Sequence, residues 1–312
     1  MLSAVLVCCC ALVSCKTKKT KMAVGFAQEG DENAWRIAET QSVQAEAARR
    51  ETDLHLASAQ GDVEKQIGAV RTFIAQRVDA IILAPKVETG WTPVLKEAKD
   101  ANIPVILIDR GVSASPDLYA TLIESDFVEE GRRAAQWLAE HTRGQEVNIV
   151  ELEGSAGSAP AIDRKKGFDE QIKASPKLHI LASQDGNFTR EGGKQVMTNF
   201  LLTLGAERIN AVYCHNDDMA LGAIQAIEAA GKKPGHDIKI LSIDGIHDGI
   251  QAVLDKKINC IVECNPLLGS DAFDAIEAIL LDHKTLPKKM TEKDALFDES
   301  NVTKELLDSR KY

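Results

Sequence analysis

From Met22 onward the chain alternates between short apolar runs and stretches whose apolar residues recur every three or four positions. The first pattern signals a strand and the second an amphipathic helix. "MAVGFA" (22–27) leads to a helix pattern over Asn33 to Arg50. "TDLHLA" (52–57) leads to a helix that Asp62 caps, with Val63, Ile67, Val70 and Ile74 on one face. "DAIILA" (79–84), a helix over 92–101, "VILI" (105–108) and "ATLIES" (120–125) complete a first series. A second series predicts helices over 126–141, 161–174, 189–204, 217–230 and 248–255, interleaved with strands 147–152, 178–183, 211–215, 238–243 and 259–263. Gly231 ends one of these helices, and a last helix is expected from Pro266 to Asp282 with its proline in the first turn. Alternation of this kind predicts parallel sheets covered by helices on both faces. About eleven strands exceed one comfortable open sheet. The expected fold class is therefore α/β, with two doubly wound parallel-sheet lobes.

The first 21 residues follow another rule. "MLSAVLVCCCALVSC" (1–15) is one apolar run. It is too short to span a bilayer as a helix, which takes about 20 apolar residues, and has the length of a signal-peptide hydrophobic region. Leu12-Val13-Ser14-Cys15 resembles the bacterial lipobox. That resemblance implies a diacylglyceryl group on Cys15, which becomes the first mature residue, with "KTKKTK" (16–21) as a tether. Two acyl chains anchor a protein firmly. A competing reading, a cytosolic protein beginning near Met22, leaves the apolar leader unexplained.

Bulk numbers exclude some partners. The 312 residues carry a net charge of −10, so a nucleic-acid backbone finds no basic face. Four of the seven cysteines crowd the leader, and Cys214, Cys260 and Cys264 are an odd remainder, so no disulfide framework is expected. They read as small buried apolar side chains.

The polar residues fall in one place. After the first strand come Gln28, Glu32, Trp35 and Arg36; after "VILI" come Asp109 and Arg110; after 211–215 come Asn216, Asp217 and Asp218; after 238–243 comes Asp244. Arg164 opens the helix beyond the loop "GSAGSAP" (154–160). In open α/β sheets the carboxyl edge of the strands is where ligands bind. Since both series contribute, the ligand is expected between the lobes. Carboxylates, an amide and guanidinium groups match a rim of hydroxyls, and a tryptophan offers a flat apolar face. That combination suits a sugar. Aromatics make up only 4% of the chain, few for a nucleobase site. No Walker or dinucleotide fingerprint occurs, so no cofactor is expected.

Each residue also has a plain structural reading. Asp109 and Arg110 are equally well a self-contained ion pair. Glu32 is equally a first-turn acid that complements the helix dipole. One of Asp217 and Asp218 is expected to cap the helix that begins there. Trp91 and Trp137 read as packing residues. His215 beside Cys214 hints at a metal, but no second ligand pair has the right spacing, so no metal is expected.

The segments "ENAWR" (32–36), "VDAIILAP" (78–85), "WTPVLKEAKDANIPV" (91–105), "IDR" (108–110), "AIDRKKGF" (161–168), "HNDDMALGAIQAI" (215–227) and "SIDG" (242–245) stand in an order and spacing that resemble the periplasmic sugar-binding proteins of the ribose and galactose type, in particular their galactofuranose-binding members. The resemblance covers about Val24 to Thr303. It implies a type I periplasmic binding fold whose lobes are joined by a three-strand hinge: 22–125 with 264–290, and 126–263 with 291–312. It implies a monosaccharide pocket formed by Glu32, Trp35, Arg36, Asp109, Arg110, Arg164, Asn216 and Asp244, with Trp35 stacked on the sugar. It further implies a monomer of the periplasm or cell envelope, held by its lipid anchor, that feeds an ABC permease and its ATPase subunit. The same closure would serve a tethered receptor for a sensor kinase or chemoreceptor. An effector domain of a transcription regulator would carry a DNA-binding segment before the first strand. A sugar-active enzyme would use Asp109, Asp244 and Glu32 as paired carboxylates; no turnover is expected.

Overall fold

The computed structural model describes residues 21–31 and 33–312. The elements run β1 (Ala23–Gln28), α1 (Ala34–Arg49), β2 (Asp53–Ser58), α2 (Val63–Gln76), β3 (Ala80–Leu83), α3 (Thr92–Asp100), β4 (Val105–Ile108), β5 (Thr121–Glu124), α4 (Phe127–Thr142), β6 (Val147–Glu153), α5 (Ala159–Lys173), β7 (Leu178–Asp185), α6 (Arg190–Phe200), β8 (Ala211–Cys214), α7 (Asp217–Ala229), β9 (Lys239–Asp244), α8 (His247–Leu254), β10 (Cys260–Glu263), α9 (Gly269–Leu280), β11 (Lys289–Thr291), β12 (Leu296–Asp298) and α10 (Lys304–Ser309).

The strands form two sheets, ordered β11-β5-β4-β3-β1-β2 and β12-β10-β9-β8-β6-β7. Without the short edge strands β11 and β12, the two lobes repeat one topology: β1 matches β6, β3 matches β8 and β4 matches β9. All described pairings are parallel except that of β12 with β10. The chain passes between the sheets after Glu124, again after Glu263, and once more between Thr291 and Leu296.

Helices cover both faces of each sheet, so the central strands are buried throughout. The four residues of β3, β4, β5 and β8 are all buried. Each such Ile, Leu or Val contributes about 1.5–3 kcal/mol. Phe26, Val43, Ile82, Ile106, Phe273 and Ile276 form one core on the first sheet, tying α9 to α1. Trp91 and Trp137 are buried as packing residues, and Cys214, Cys260 and Cys264 are buried free thiols. Asp62 caps α2 by accepting from Lys65 N at 3.1 Å. The last long helix starts later than the sequence suggests. Pro266 stands outside it, and α9 begins at Gly269, whose amide donates to Ser42 Oγ at 3.0 Å. Tertiary docking against α1 therefore sets that boundary, not the proline. No helix among the described residues is long and apolar enough to cross a membrane.

Candidate functional site

The carboxyl ends of the two sheets face each other across a small polar space. Trp35, Arg36, Asp109, Arg110, Arg164, Asn216 and Asp244 line it. Glu32 lies outside the described residues, as does Cys15. Asn33, Pro160, Phe188 and Cys264 complete the lining; Asn33, inside the first motif, is expected to border the site from the sequence, and the other three are not.

The first lobe's wall is an ion network. Arg36 reaches Glu29 at 3.3 Å, Glu39 at 2.5 Å and Asp109 at 2.5 Å. Arg110 reaches Glu29 at 2.6 Å and Asp109 at 3.2 Å. Every member is at most 4% exposed, so water screens none of these charges. Burial pushes the Glu39 carboxyl up to about 7, against the pull of Arg36 and with Asp109 adding repulsion. Asp109 follows β4 with φ +61°, in the left-handed region that aspartate tolerates better than most residues. The two charges that end "VILI" thus form an ion pair and also face the cleft.

The second lobe's wall hangs on one cation. Arg164 donates from Nε to Glu130 at 2.7 Å and from Nη1 to the His215 carbonyl at 2.7 Å, and its Nη2 stands 3.8 Å from Asp244. Glu130 reaches it because α4 and α5 pack backbone to backbone: a Cβ on Gly131 would stand 2.0 Å from the Arg164 carbonyl oxygen. Burial pushes Glu130 up to about 7, opposed by Arg164. Asp244 is pushed well above the usual carboxylate range, by burial first and by neighbouring Asp217 and Glu130, with Arg164 opposing. Its backbone has φ +117°, a strained geometry for a non-glycine residue of the kind that collects at functional sites.

The capping expectation needs correction. Neither Asp217 nor Asp218 caps α7; Asn216 does, accepting from Met219 N at 3.0 Å. Asp217 instead accepts from Ser242 Oγ at 2.6 Å and from Gly245 N and Ile246 N at 2.8 and 2.9 Å, which pins the turn that aims Asp244. Asp218 accepts from Ala34 N at 3.2 Å, across the cleft, and pairs with Arg190 at 3.0 Å. His215 donates Nε2–H toward Glu151 at 3.1 Å, because its Nδ1 accepts from Gly154 N at 3.3 Å. No cluster of three or more His, Cys, Asp or Glu among the described residues is placed to hold a metal ion.

Trp35 belongs to the chain of the first lobe but packs with Phe127, Ile243 and Ile246 of the second. Its Nε1 donates to the Cys264 carbonyl at 2.6 Å, and the Arg36 guanidinium lies 4.8 Å from its ring centroid. Its remaining exposure is 5%, so the cleft is closed around it.

Some of the missed residues carried a signal. Glu29 directly follows β1, where the strand-end rule applies. Glu39 and Glu130 occupy inward positions of α1 and α4, in step with Trp35 and Val43, and with Phe127 and Ala134. A carboxylate in an apolar stripe implies a buried cation opposite.

The chain matches the family described as periplasmic binding protein domain over residues 24–284. It is 46% identical over 303 residues to the galactofuranose-binding protein YtfQ of Escherichia coli, covering 96% of this chain and 95% of that one. The binding component of the arabinose ABC transporter from Shewanella sp. ANA-3, solved with α- and β-L-arabinofuranose, superposes with a TM-score of 0.89 at 48% identity, over 92% of this chain and 95% of that one. A Mycobacterium smegmatis structure in complex with β-D-fucofuranose gives a TM-score of 0.87 at 50% identity, over 90% and 92% of the two chains.

Proposed function

The chain belongs to the periplasmic binding protein family, and from that premise we propose that it captures one monosaccharide in its furanose form and hands it to an ABC importer. The observation that carries this reading is the convergence of Arg36, Asp109 and Arg110 from one lobe with Arg164, Asn216 and Asp244 from the other on a single enclosed space. The space is small and its lining is charged and polar on both sides, which suits a compact polyhydroxylated ligand rather than a large apolar one. Guanidinium groups donate to ring and hydroxyl oxygens, and carboxyl groups take hydroxyl protons, through charge-assisted bonds. The ligands named for the two structural relatives, arabinofuranose and fucofuranose, and for the Escherichia coli protein, galactofuranose, all have a five-membered ring.

Capture follows from closure. The two lobes rotate about the three crossings. Sugar contacts made only when both walls are in place shift the equilibrium to the closed form. The closed surface then docks on the permease, whose ATPase subunit drives transport. The protein acts as a monomer at the outer face of the membrane, held by acyl chains on Cys15. It binds without turnover, as a carrier that releases its sugar unchanged must.

Native mass spectrometry of freshly purified protein, then titration calorimetry with galactose, arabinose and fucose, tests the reading. Only the furanose fraction of each sugar competes, so the apparent Kd is the intrinsic one divided by that fraction. Carbon-13 shifts of the bound sugar identify its ring. No heat with any pentose or hexose would sink the proposal, and a bound pyranose would overturn its ring form.

A further inference from the structure

Two asparagines, one from each lobe, point at the same backbone oxygen. Asn33 caps α1, accepting from Arg36 N at 2.8 Å, and its Nδ2 donates across the cleft to the Phe188 carbonyl at 3.2 Å. Asn216 caps α7, and its Nδ2 donates to that same carbonyl at 3.1 Å. Their backbones agree closely: φ −150°, ψ 169° for Asn33 and φ −156°, ψ 168° for Asn216. One carbonyl has two lone pairs, and each amide takes one.

The acceptor is built into a locked turn. Asn187 and Phe188 both have left-handed backbones, φ +57° and +59°, a region that asparagine adopts more readily than a bulky residue such as phenylalanine. Asn187 N is tied to Asp185 Oδ1 at 2.6 Å. The tip of the Phe188 ring meets Gly154, where a Cβ would come within 1.8 Å of its Cζ. The carbonyl is therefore aimed before the lobes meet. The residue after Asn33 makes a cross-cleft bond as well, Ala34 N to Asp218 Oδ2 at 3.2 Å.

We propose that Asn33 is a closure residue: its amide, fixed in direction by its capping duty, latches the first lobe to the Phe188 carbonyl and stabilises the closed form independently of ligand. The proposal rests on hinge closure from the reading above, but not on which sugar binds. The latch populates the closed form in the ligand-free protein and slows ligand release.

Asn33→Ser separates the two duties of the side chain. Serine caps a helix about as well as asparagine but has no amide to reach Phe188. Spin labels on Lys65→Cys of α2 and Lys194→Cys of α6, both exposed, report the distance between lobes without any sugar. The open-to-closed ratio is expected to rise roughly 5- to 10-fold, the worth of one hydrogen bond, with the melting temperature unchanged. Asn33→Ala, which loses the cap too, lowers the melting temperature as well. A wild-type protein with no closed population in the absence of sugar overturns the proposal. So does a serine variant with the wild-type distance distribution; weaker sugar binding on that background would make Asn33 a ligand contact instead.

Discussion

Asp109 and Asp244 occupy equivalent places in two copies of one architecture, and they are held in opposite ways. Each stands where the fourth strand of its lobe ends, and each has a positive φ. Asp109 Oδ2 touches two guanidinium groups, at 2.5 and 3.2 Å. Among the described residues Asp244 has one guanidinium partner, Arg164 at 3.8 Å, and shares it with Glu130. Burial and the neighbouring carboxyls push Asp244 well above the usual range, toward the form that donates a hydrogen bond. The same topological position therefore supplies a doubly ion-paired carboxylate on one wall and, on the other, a carboxyl group that burial pushes toward its neutral form. A polyol needs both, because each hydroxyl both gives and takes.

The sharpest way to break this comparison is to neutralise each aspartate without changing its shape. Asp109→Asn leaves Arg36 and Arg110 buried with one carboxylate fewer. Removing one partner from a buried ion network costs about 3–5 kcal/mol. Urea unfolding of Asp109→Asn is expected to show a loss of that size. Asp244→Asn replaces a carboxyl already shifted toward neutrality and is expected to lose about 1 kcal/mol or less. Equal losses would show that the two walls are held alike.

Truncation tests the walls as binding surfaces. Arg110→Ala should weaken sugar binding by about 10-fold or more, from the roughly 1.5–3 kcal/mol of a charge-assisted hydrogen bond, and Asp244→Ala by a similar factor, from the roughly 1–3 kcal/mol cost of leaving a buried hydroxyl unpaired. Titration calorimetry with the best sugar ligand is the measurement. Unchanged affinity in either variant removes that residue from the site. A smaller effect is expected for Glu39→Gln, since the glutamine still accepts from Arg36 and the carboxyl it replaces is already pushed up to about 7. Its affinity should fall by about threefold or less.

The same comparison explains what the sequence could and could not disclose. Asp109, Arg110, Asn216 and Asp244 were legible because apolar strand runs stop at them, and a charge at such a stop has few reasons to be there. Glu130 leaves little trace in the sequence, although it interrupts an apolar helix stripe, because its cation, Arg164, lies on another helix; Glu39 meets Arg36 of its own helix, and an i,i+3 pair of that kind is common on solvated helix faces as well. The meeting point on Phe188 was beyond reach, since a carbonyl direction set by two left-handed residues leaves no mark on residue type. Asn216 could be placed at the cleft but not recognised as the cap, because Asp217 and Asp218 beside it cap helices equally well. The edge strands β11 and β12 have three residues each, too few for a period to show.

The smallest expected effect concerns pH, and its sign follows from Asp244. Its folded pKa is raised above the unfolded value, so the stability linked to it is fully present below the unfolded pKa, near 4. That stability is lost as pH rises through the folded pKa. Asp217, Glu130 and Glu39, each pushed to about 7 by burial, act in the same direction. Glu151 acts in the opposite one: burial would raise it, but His215 and Lys165 outweigh burial and hold it at about 2, so its contribution fades only below the unfolded pKa of about 4.5. Between pH 5 and 8 the raised group alone is sampled. Wild-type stability should decline across that window. Asp244→Asn should decline less, by about 1 kcal/mol, since it removes one titrating carboxyl and relieves its neighbours Asp217 and Glu130. Urea midpoints at both pH values measure the difference. Parallel declines would mean that Asp244 carries its charge in the folded protein as readily as in the unfolded chain, and the contrast between the two walls would then lie in geometry alone.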